Sequence, residues 1–373
     1  MIDSMLLLGI FVAISLLVHL TSTALAYRGC RQRETAPSKI DAPMISIVRP
    51  VCGLENHLEE TLRSGFLLNY WNYELIFCID AADDPAIPLV RRLMAQHSCV
   101  PSRLLIGRDV VSPNPKLNNV VKGWRAAAAE WIVLADSNVM MPPDYLQRLA
   151  SAWDAEAGLV CSPPIGSLPG NLAAEIECGF LNTYQARWQY AADRLGFSFA
   201  QGKTMLWRKA DLDRHGGPRA LADELAEDAA ATKLVRRNGK RVRLATPPFE
   251  QPLGARALAD VWRRQVRWAR LRRDSFPLFY ALEIGTSSFP GWLAAIVAAN
   301  SLGVALPVAV AFPALWYGAE AALARASGWH VTLRSPITWI ARDVMLPAIW
   351  VSGWIGSRFV WRGNQMQTAQ RAA

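Results

Sequence analysis

Histidine is scarce in this chain, with five among 373 residues. His57, His97 and His215 stand singly, which argues against a histidine-based catalyst and against a histidine-rich metal site. Six cysteines, at 30, 52, 78, 99, 161 and 178, form no C-x-x-C and no metal-like spacing. They read as buried, reduced thiols. Charge is thin as well. Only 19% of residues are charged against 52% apolar, an unusual balance for a wholly soluble protein. The sequence holds no internal repeat and no low-complexity tract, apart from a polar tail at 361–373.

What is abundant lies at the two ends. Met5–Ala26 carries no charged residue and is long enough to cross a bilayer, which takes about 20 apolar residues. A cleaved signal peptide would have basic residues before its apolar run. Here they follow it, so 1–27 reads as an uncleaved anchor. Arg28, Arg31, Arg33 and Lys39 make 28–41 a basic linker and favour a cytoplasmic position for what comes next. Two more apolar blocks, Ile284–Leu323 and Ile337–Val360, put two or three spans within 284–360. Four spans in all is the favoured count and three the alternative. Arg342 and Asp343 lie near the start of the last block, so its span is expected to begin after them. No span then carries paired charges near its centre, which argues against a channel or transporter. The net charge of +9 gathers beside these blocks, where anionic lipid is a better partner than nucleic acid.

Between the ends, residues 42–255 alternate strand and helix patterns. "MISIVRP", "YELIFCID", "SRLLIG" and "WIVLA" read as strands, with helices predicted around His57–Leu68, Pro85–Gln96 and Leu117–Ala129. Such alternation implies an α/β domain with a mostly parallel sheet and helices on both faces, and ligands bind at the carboxyl ends of its strands. "DAADDP" and "ADSN" both fall at that edge. Each acidic group also has a plainer reading. Asp84 can cap the helix that follows it. Asp136 and Asn138 are ordinary turn residues. Glu227 and Asp228 can be solvated helix residues, and "WRRQVRWARLRR" in the 256–283 segment can be an amphipathic helix on a membrane surface.

The ordered set is more specific than its members. A strand with DDP, a strand with DS-x, a helical AED and R-x-x-R-W before membrane spans resemble the D,D,D,(Q/R)-x-x-R-W signature of membrane-anchored inverting glycosyltransferases with a GT-A fold. Within that group the chain most resembles the ceramide glucosyltransferase family. "RPVCGLENHLEETL", "IGRDVVSPNPKLNNVVKGW", "GKTMLWRKADLDRHGG" and "ELAEDAAATK" match in order, so the likeness runs over nearly the whole chain. The resemblance implies transfer of glucose from UDP-glucose to the primary hydroxyl of ceramide. It implies Asp228 as general base, with Asp84, Asp136, Asn138, Lys116, Asn118 and Arg49 on the donor side. Arg264, Arg267 and Trp268 would serve the diphosphate and acceptor. Arg49 and Cys52 stand where the family often has Lys. Asp136 is the candidate ligand of a divalent metal, Mg or Mn. With Asn138 in place of a second acid, the diphosphate would supply much of the coordination. Other readings are a related membrane glycosyltransferase acting with another UDP-sugar or on a hopanoid, sterol or diacylglycerol, and an inactive scaffold. The inner membrane of a bacterium is the expected location.

Overall fold

The computed structural model describes residues 2–31, 43–361 and 364–368. Most of the expected 28–41 linker lies outside them. The first helix, α1 (Ile2–Cys30), extends three residues past the expected anchor.

The four expected strands form as β1 (Ile45–Val51), β2 (Tyr73–Ile79), β3 (Ser102–Ile106) and β4 (Trp131–Ala135). They are followed by β5 (Ala157–Cys161), β6 (Pro164–Pro169), β7 (Thr204–Arg208), β8 (Arg241–Leu244) and β9 (Phe249–Gly254). The main sheet has the order β3-β2-β1-β4-β7-β5-β8, and β6 pairs with β9 in a second small sheet. The first four strands run parallel, while β7 enters antiparallel to β4 and β5. Between the strands lie α2 (Leu58–Ser64), α3 (Ile87–Gln96), α4 (Pro115–Ala126), α5 (Tyr145–Ser151), α6 (Leu172–Gly179), α7 (Arg187–Arg194), α8 (Lys209–Asp213) and α9 (Glu227–Arg237). A π-helical stretch, Phe180–Ala186, joins α6 to α7.

Strand alternation sends successive side chains to opposite faces. Ile45, Ile47, Leu75, Phe77 and Val133 pack with Leu62 of α2, Val90 of α3 and Leu146 of α5. Val48, Ile76, Cys78, Ile132 and Leu134 pack with Val120 and Trp124 of α4. This second core continues through Ala26 of α1 and Tyr190 of α7 to Trp316, Leu323 and Trp339. The apolar end helices and the α/β domain therefore share one core.

Beyond β9 come α10 (Leu258–Ser275), α11 (Pro277–Leu282), α12 (Ser288–Asn300), α13 (Ala305–Ala326) and α14 (Ser335–Trp354). Among the described residues, two helices, at Met5–Cys30 and Ala305–Ala326, are long and apolar enough to cross a bilayer. A bent pair, Pro277–Thr286 with Ser288–Asn300, makes a third if counted as one span. The four-span count is not reproduced, because Arg342 and Asp343 fall in the middle of α14 rather than before it. They are also not isolated. Arg342 donates to both oxygens of Glu320 at 3.0 Å and to Asp343 at 2.8 Å, so paired charges do sit inside these helices. The expected polar tail is corrected too: β10 (Arg358–Trp361) and β11 (Asn364–Gln367) form an antiparallel hairpin.

Two of the expected thiol burials also change. Cys30, Cys78, Cys161 and Cys178 are buried, but Cys52 and Cys99 are exposed.

Candidate active site

The turn after β4 is held from beneath. Arg49, on β1, is fully buried and donates to the carbonyls of Thr61 at 2.7 Å, Asp136 and Ser137 at 3.1 Å, and Val139 at 3.0 Å. Burying a guanidinium is costly unless its protons are satisfied, and these four carbonyls take the protons of its two terminal nitrogens. Thr61 adds a bond from its hydroxyl to the Ser137 carbonyl at 2.7 Å. Arg49 was expected to touch the donor. It sits under the turn instead and fixes the direction in which Asp136 and Asn138 project.

What faces Asp136 follows from strand register. Ala135 pairs with Thr204 across the β4–β7 ladder, and the Asp136 N–H donates to the Lys203 carbonyl at 3.0 Å. Lys203 thus arrives opposite Asp136. Its ammonium lies 2.9 Å from Asp136 Oδ2 and 3.1 Å from Asn138 Oδ1. Lys116 reaches Asp136 Oδ1 at 2.7 Å, Glu227 Oε1 at 2.7 Å and the Gly202 carbonyl at 2.5 Å. Asn114 sets that reach by capping α4: its Oδ1 accepts from the N–H groups of Lys116 and Leu117 at 2.9 and 3.2 Å. This cap starts α4 two residues before the expected Leu117. Burial alone would push the Asp136 carboxyl up, but the two lysines outweigh it and hold it at about 2.

Asp228 behaves differently, although it shares the cluster. It sits in the first turn of α9 and accepts from the Gly202 N–H at 3.1 Å and the Ala229 N–H at 2.9 Å. Burial and the neighbouring Glu227 push its carboxyl up to about 6, against the pull of Lys116. Glu227 is engaged by Lys116 and by the Asn114 amide, the latter at 2.8 Å. Asp228 is therefore the carboxylate poised to exchange a proton near neutrality. A Cβ at Gly202 would come within 2.6 Å of Glu227 Oε1, so a larger residue there would push that carboxylate out of place.

Two other donor-side candidates hold loops. Both Asp84 oxygens accept from the Gly53 N–H, at 3.1 and 2.9 Å, and Oδ1 also accepts from the Ala86 N–H at 2.8 Å. Asp84 ties the loop after β1 to the loop after β2. Asn118 is buried one turn along α4 from Asn114. Its amide is committed to the loop before α4, accepting from Val111 and Ser112 N–H at 2.8 and 2.9 Å and donating to the Ser112 carbonyl at 2.8 Å. It shapes that loop and does not point at Asp136.

The arginine motif lies on α10. Arg264 pairs with Glu177, which is buried on α6 and also lies 3.6 Å from Arg256. Arg267 makes no hydrogen bond or ion pair among the described residues. Its guanidinium stacks on Trp361 of the hairpin, 5.3 Å from the ring centroid. Burial and the adjacent Arg264 bring it down to about 10, so it remains a cation at neutral pH. Trp268 packs on Ala174, Cys178, Leu181 and Leu253. Beyond the motif, α11 exposes Leu278, Phe279 and Leu282, an apolar surface suited to a membrane interface.

The fit to a divalent ion is poor on the protein side. Among the described residues no group of three His, Cys, Asp or Glu could hold one. Asp136 is the one carboxylate carried by the turn itself, lysine ammonium groups engage both its oxygens, and Glu55 reaches the turn only through the Asn138 amide at 3.4 Å. Lys203, Asn114, Gly202 and Trp361 were not foreseen as part of this neighbourhood. The one sequence cue for Lys203 is "QGKT" leading into β7, which gains meaning only with the antiparallel register.

The sequence model of Glycosyl transferase family 21 matches residues 6–372. Ceramide glucosyltransferase 3 of Caenorhabditis elegans is 26% identical over 96% of this chain and 80% of its own length. Ceramide glucosyltransferase of Komagataella phaffii is 24% identical over 89% of this chain and 84% of its own length. Among solved structures, the mannosyltransferase PcManGT from Pyrobaculum calidifontis, in complex with GDP-Man and Mn2+, aligns with a TM-score of 0.54. It is 20% identical and covers 93% of this chain and 99% of its own. The fold is thus of the GT-A type.

Proposed function

Because the chain belongs to glycosyl transferase family 21, we propose that this enzyme transfers glucose from UDP-glucose to the primary hydroxyl of ceramide, with inversion to the β-glucoside. The observation that carries the chemistry is Asp228, a carboxyl raised to about 6 beside a Glu227 already engaged by Lys116 and Asn114. The acceptor oxygen attacks the anomeric carbon as its proton passes to Asp228. The bond from that carbon to the diphosphate breaks, and UDP leaves with the electron pair. Arg264 and Arg267 offer planar donors to the diphosphate, and Asp136 borders the ribose and diphosphate. Asp84 is assigned to the uracil, and Trp268 forms an apolar wall of the site.

The acceptor is assigned to a lipid because α10 leads directly into α11, whose Leu278, Phe279 and Leu282 face outward. A head group can enter the site while its chains stay in the bilayer. The names of the relatives supply the choice of ceramide. The catalytic domain faces the cytoplasm in this reading, as the basic residues after α1 suggest.

Purified enzyme incubated with a panel of UDP-sugars and with ceramide, sterol or diacylglycerol tests this, the product being identified by mass and anomeric configuration. β-Glucosylceramide from UDP-glucose is expected. Transfer to sterol or diacylglycerol with ceramide untouched would overturn the acceptor. Transfer from a sugar nucleotide other than UDP-glucose alone would overturn the donor.

A further inference from the structure

The two lysines at Asp136 are not equivalent. Lys116 donates to the Gly202 carbonyl, and its ammonium is paired at 2.7 Å with both Asp136 Oδ1 and Glu227 Oε1. Lys203 has two acceptors among the described residues, Asp136 Oδ2 and Asn138 Oδ1, which leaves one of its three protons uncommitted there. Its side chain keeps 19% exposure, at the rim of the turn. Charge points the same way. Lys116 lies between two carboxylates, whereas the second partner of Lys203 is a neutral amide. The ammonium of Lys203 sits between Asp136 and Asn138, the seat that a divalent ion would need if it bridged this turn to a diphosphate.

We propose that Lys203 is a donor-binding residue, the built-in cation of this turn. Its free proton goes to the diphosphate, and a divalent ion has to compete with it for the seat between Asp136 and Asn138. The assignment rests on the UDP-sugar reading above and adds to it a donor-binding residue and a weak dependence of UDP binding on metal. Asn138 fits this arrangement, since its carbonyl oxygen accepts from the ammonium while its amide donates to Glu55 at 3.4 Å, and it brings no charge of its own. An aspartate there would favour a divalent ion instead.

The test is calorimetric titration of UDP and of uridine into the full-length chain, in EDTA and with Mn2+, for the wild type and Lys203→Met. Bound Mn2+ is followed in parallel by electron paramagnetic resonance. The wild type is expected to bind UDP in EDTA, with less than about threefold gain on adding Mn2+. A charge-assisted bond lost with the ammonium weakens UDP binding to Lys203→Met in EDTA by about tenfold or more. Uridine, which has no phosphates, is held equally by both. The vacated seat lets Lys203→Met take up Mn2+ together with UDP. A wild type that gains tenfold or more from Mn2+ overturns the proposal without any variant. So does UDP affinity in EDTA unchanged by Lys203→Met, or an equal loss for uridine and UDP. A wild type that binds neither UDP nor uridine overturns the donor reading, and this assignment with it.

Discussion

Two of the molecule's buried charge clusters are built to opposite ends. In the apolar half, Arg342 sits 1% exposed between Glu320 and Asp343, which are 0% and 2% exposed. Its remaining bonds go to Thr183 at 2.7 Å and the Gly179 carbonyl at 3.2 Å, and Asp343 accepts from Tyr317 and the Ser288 N–H. Every partner lies within the protein. At the sheet edge, Asp136 and Lys203 are each 19% exposed, Lys203 has a proton to give, Asp228 is raised to about 6, and Arg267 has no anionic partner among the described residues. A cluster that closes on itself ties helices together. One with unfilled valences at its rim is arranged to receive a charged ligand.

Substitutions should separate the two. The largest effect expected is at Asp228: Asp228→Asn keeps the side-chain volume and should lower turnover by about 10²–10⁴-fold, with UDP affinity and melting temperature near normal. Turnover within a few-fold of the parent would move the base elsewhere. Arg342→Met should do the reverse. Leaving Glu320 and Asp343 buried without their cation costs roughly 3–5 kcal/mol, read as a fallen melting temperature, while the fraction that remains folded keeps its UDP affinity.

Next comes the arginine motif. A lysine cannot copy the planar fork of a guanidinium, so Arg267→Lys should slow transfer by about ten- to hundredfold. The control is Arg263→Lys, an exposed position on the same helix paired only with Asp260. Arg272, although outside the motif, would be a poor control, because it grips both oxygens of Glu283 at 2.7 and 2.9 Å. Equal small effects at Arg267 and Arg263 would return α10 to a surface role.

The smallest effect is in pH. A base must be ionised to accept a proton, so the rate should fall about tenfold per unit as pH drops below about 6, the value to which Asp228 is raised. Asp136, held at about 2, contributes nothing in that range. A rate–pH profile flat down to pH 5 would remove Asp228 from the proton transfer.

The parts legible from sequence were those written in short-range pattern. The continuous apolar run in "YELIFCID" marked the strand, and the ordered acidic turns led to Asp136 and Asp228. What stayed hidden depends on pairing between distant segments. Nothing near Lys203 marks it until β7 is known to run antiparallel to β4. Arg49 looks like a loop-side donor ligand until its carbonyl partners on the 136–139 turn are seen. The mid-helix position of Arg342 and Asp343 was missed because their partner, Glu320, lies on another helix. Trp361 was read as the start of a polar tail because two short strands around Arg362-Gly363 carry little periodicity.

A structure of the full-length chain with bound UDP tests the central claim most directly, that the open cluster at the sheet edge is the donor site. The diphosphate should lie at the Asp136–Asn138 rim, within hydrogen-bonding distance of Lys203 and Arg267, with the uracil beside Asp84 and the Arg342 cluster unchanged. UDP bound away from that rim, or a diphosphate out of reach of both cations, would contradict the account.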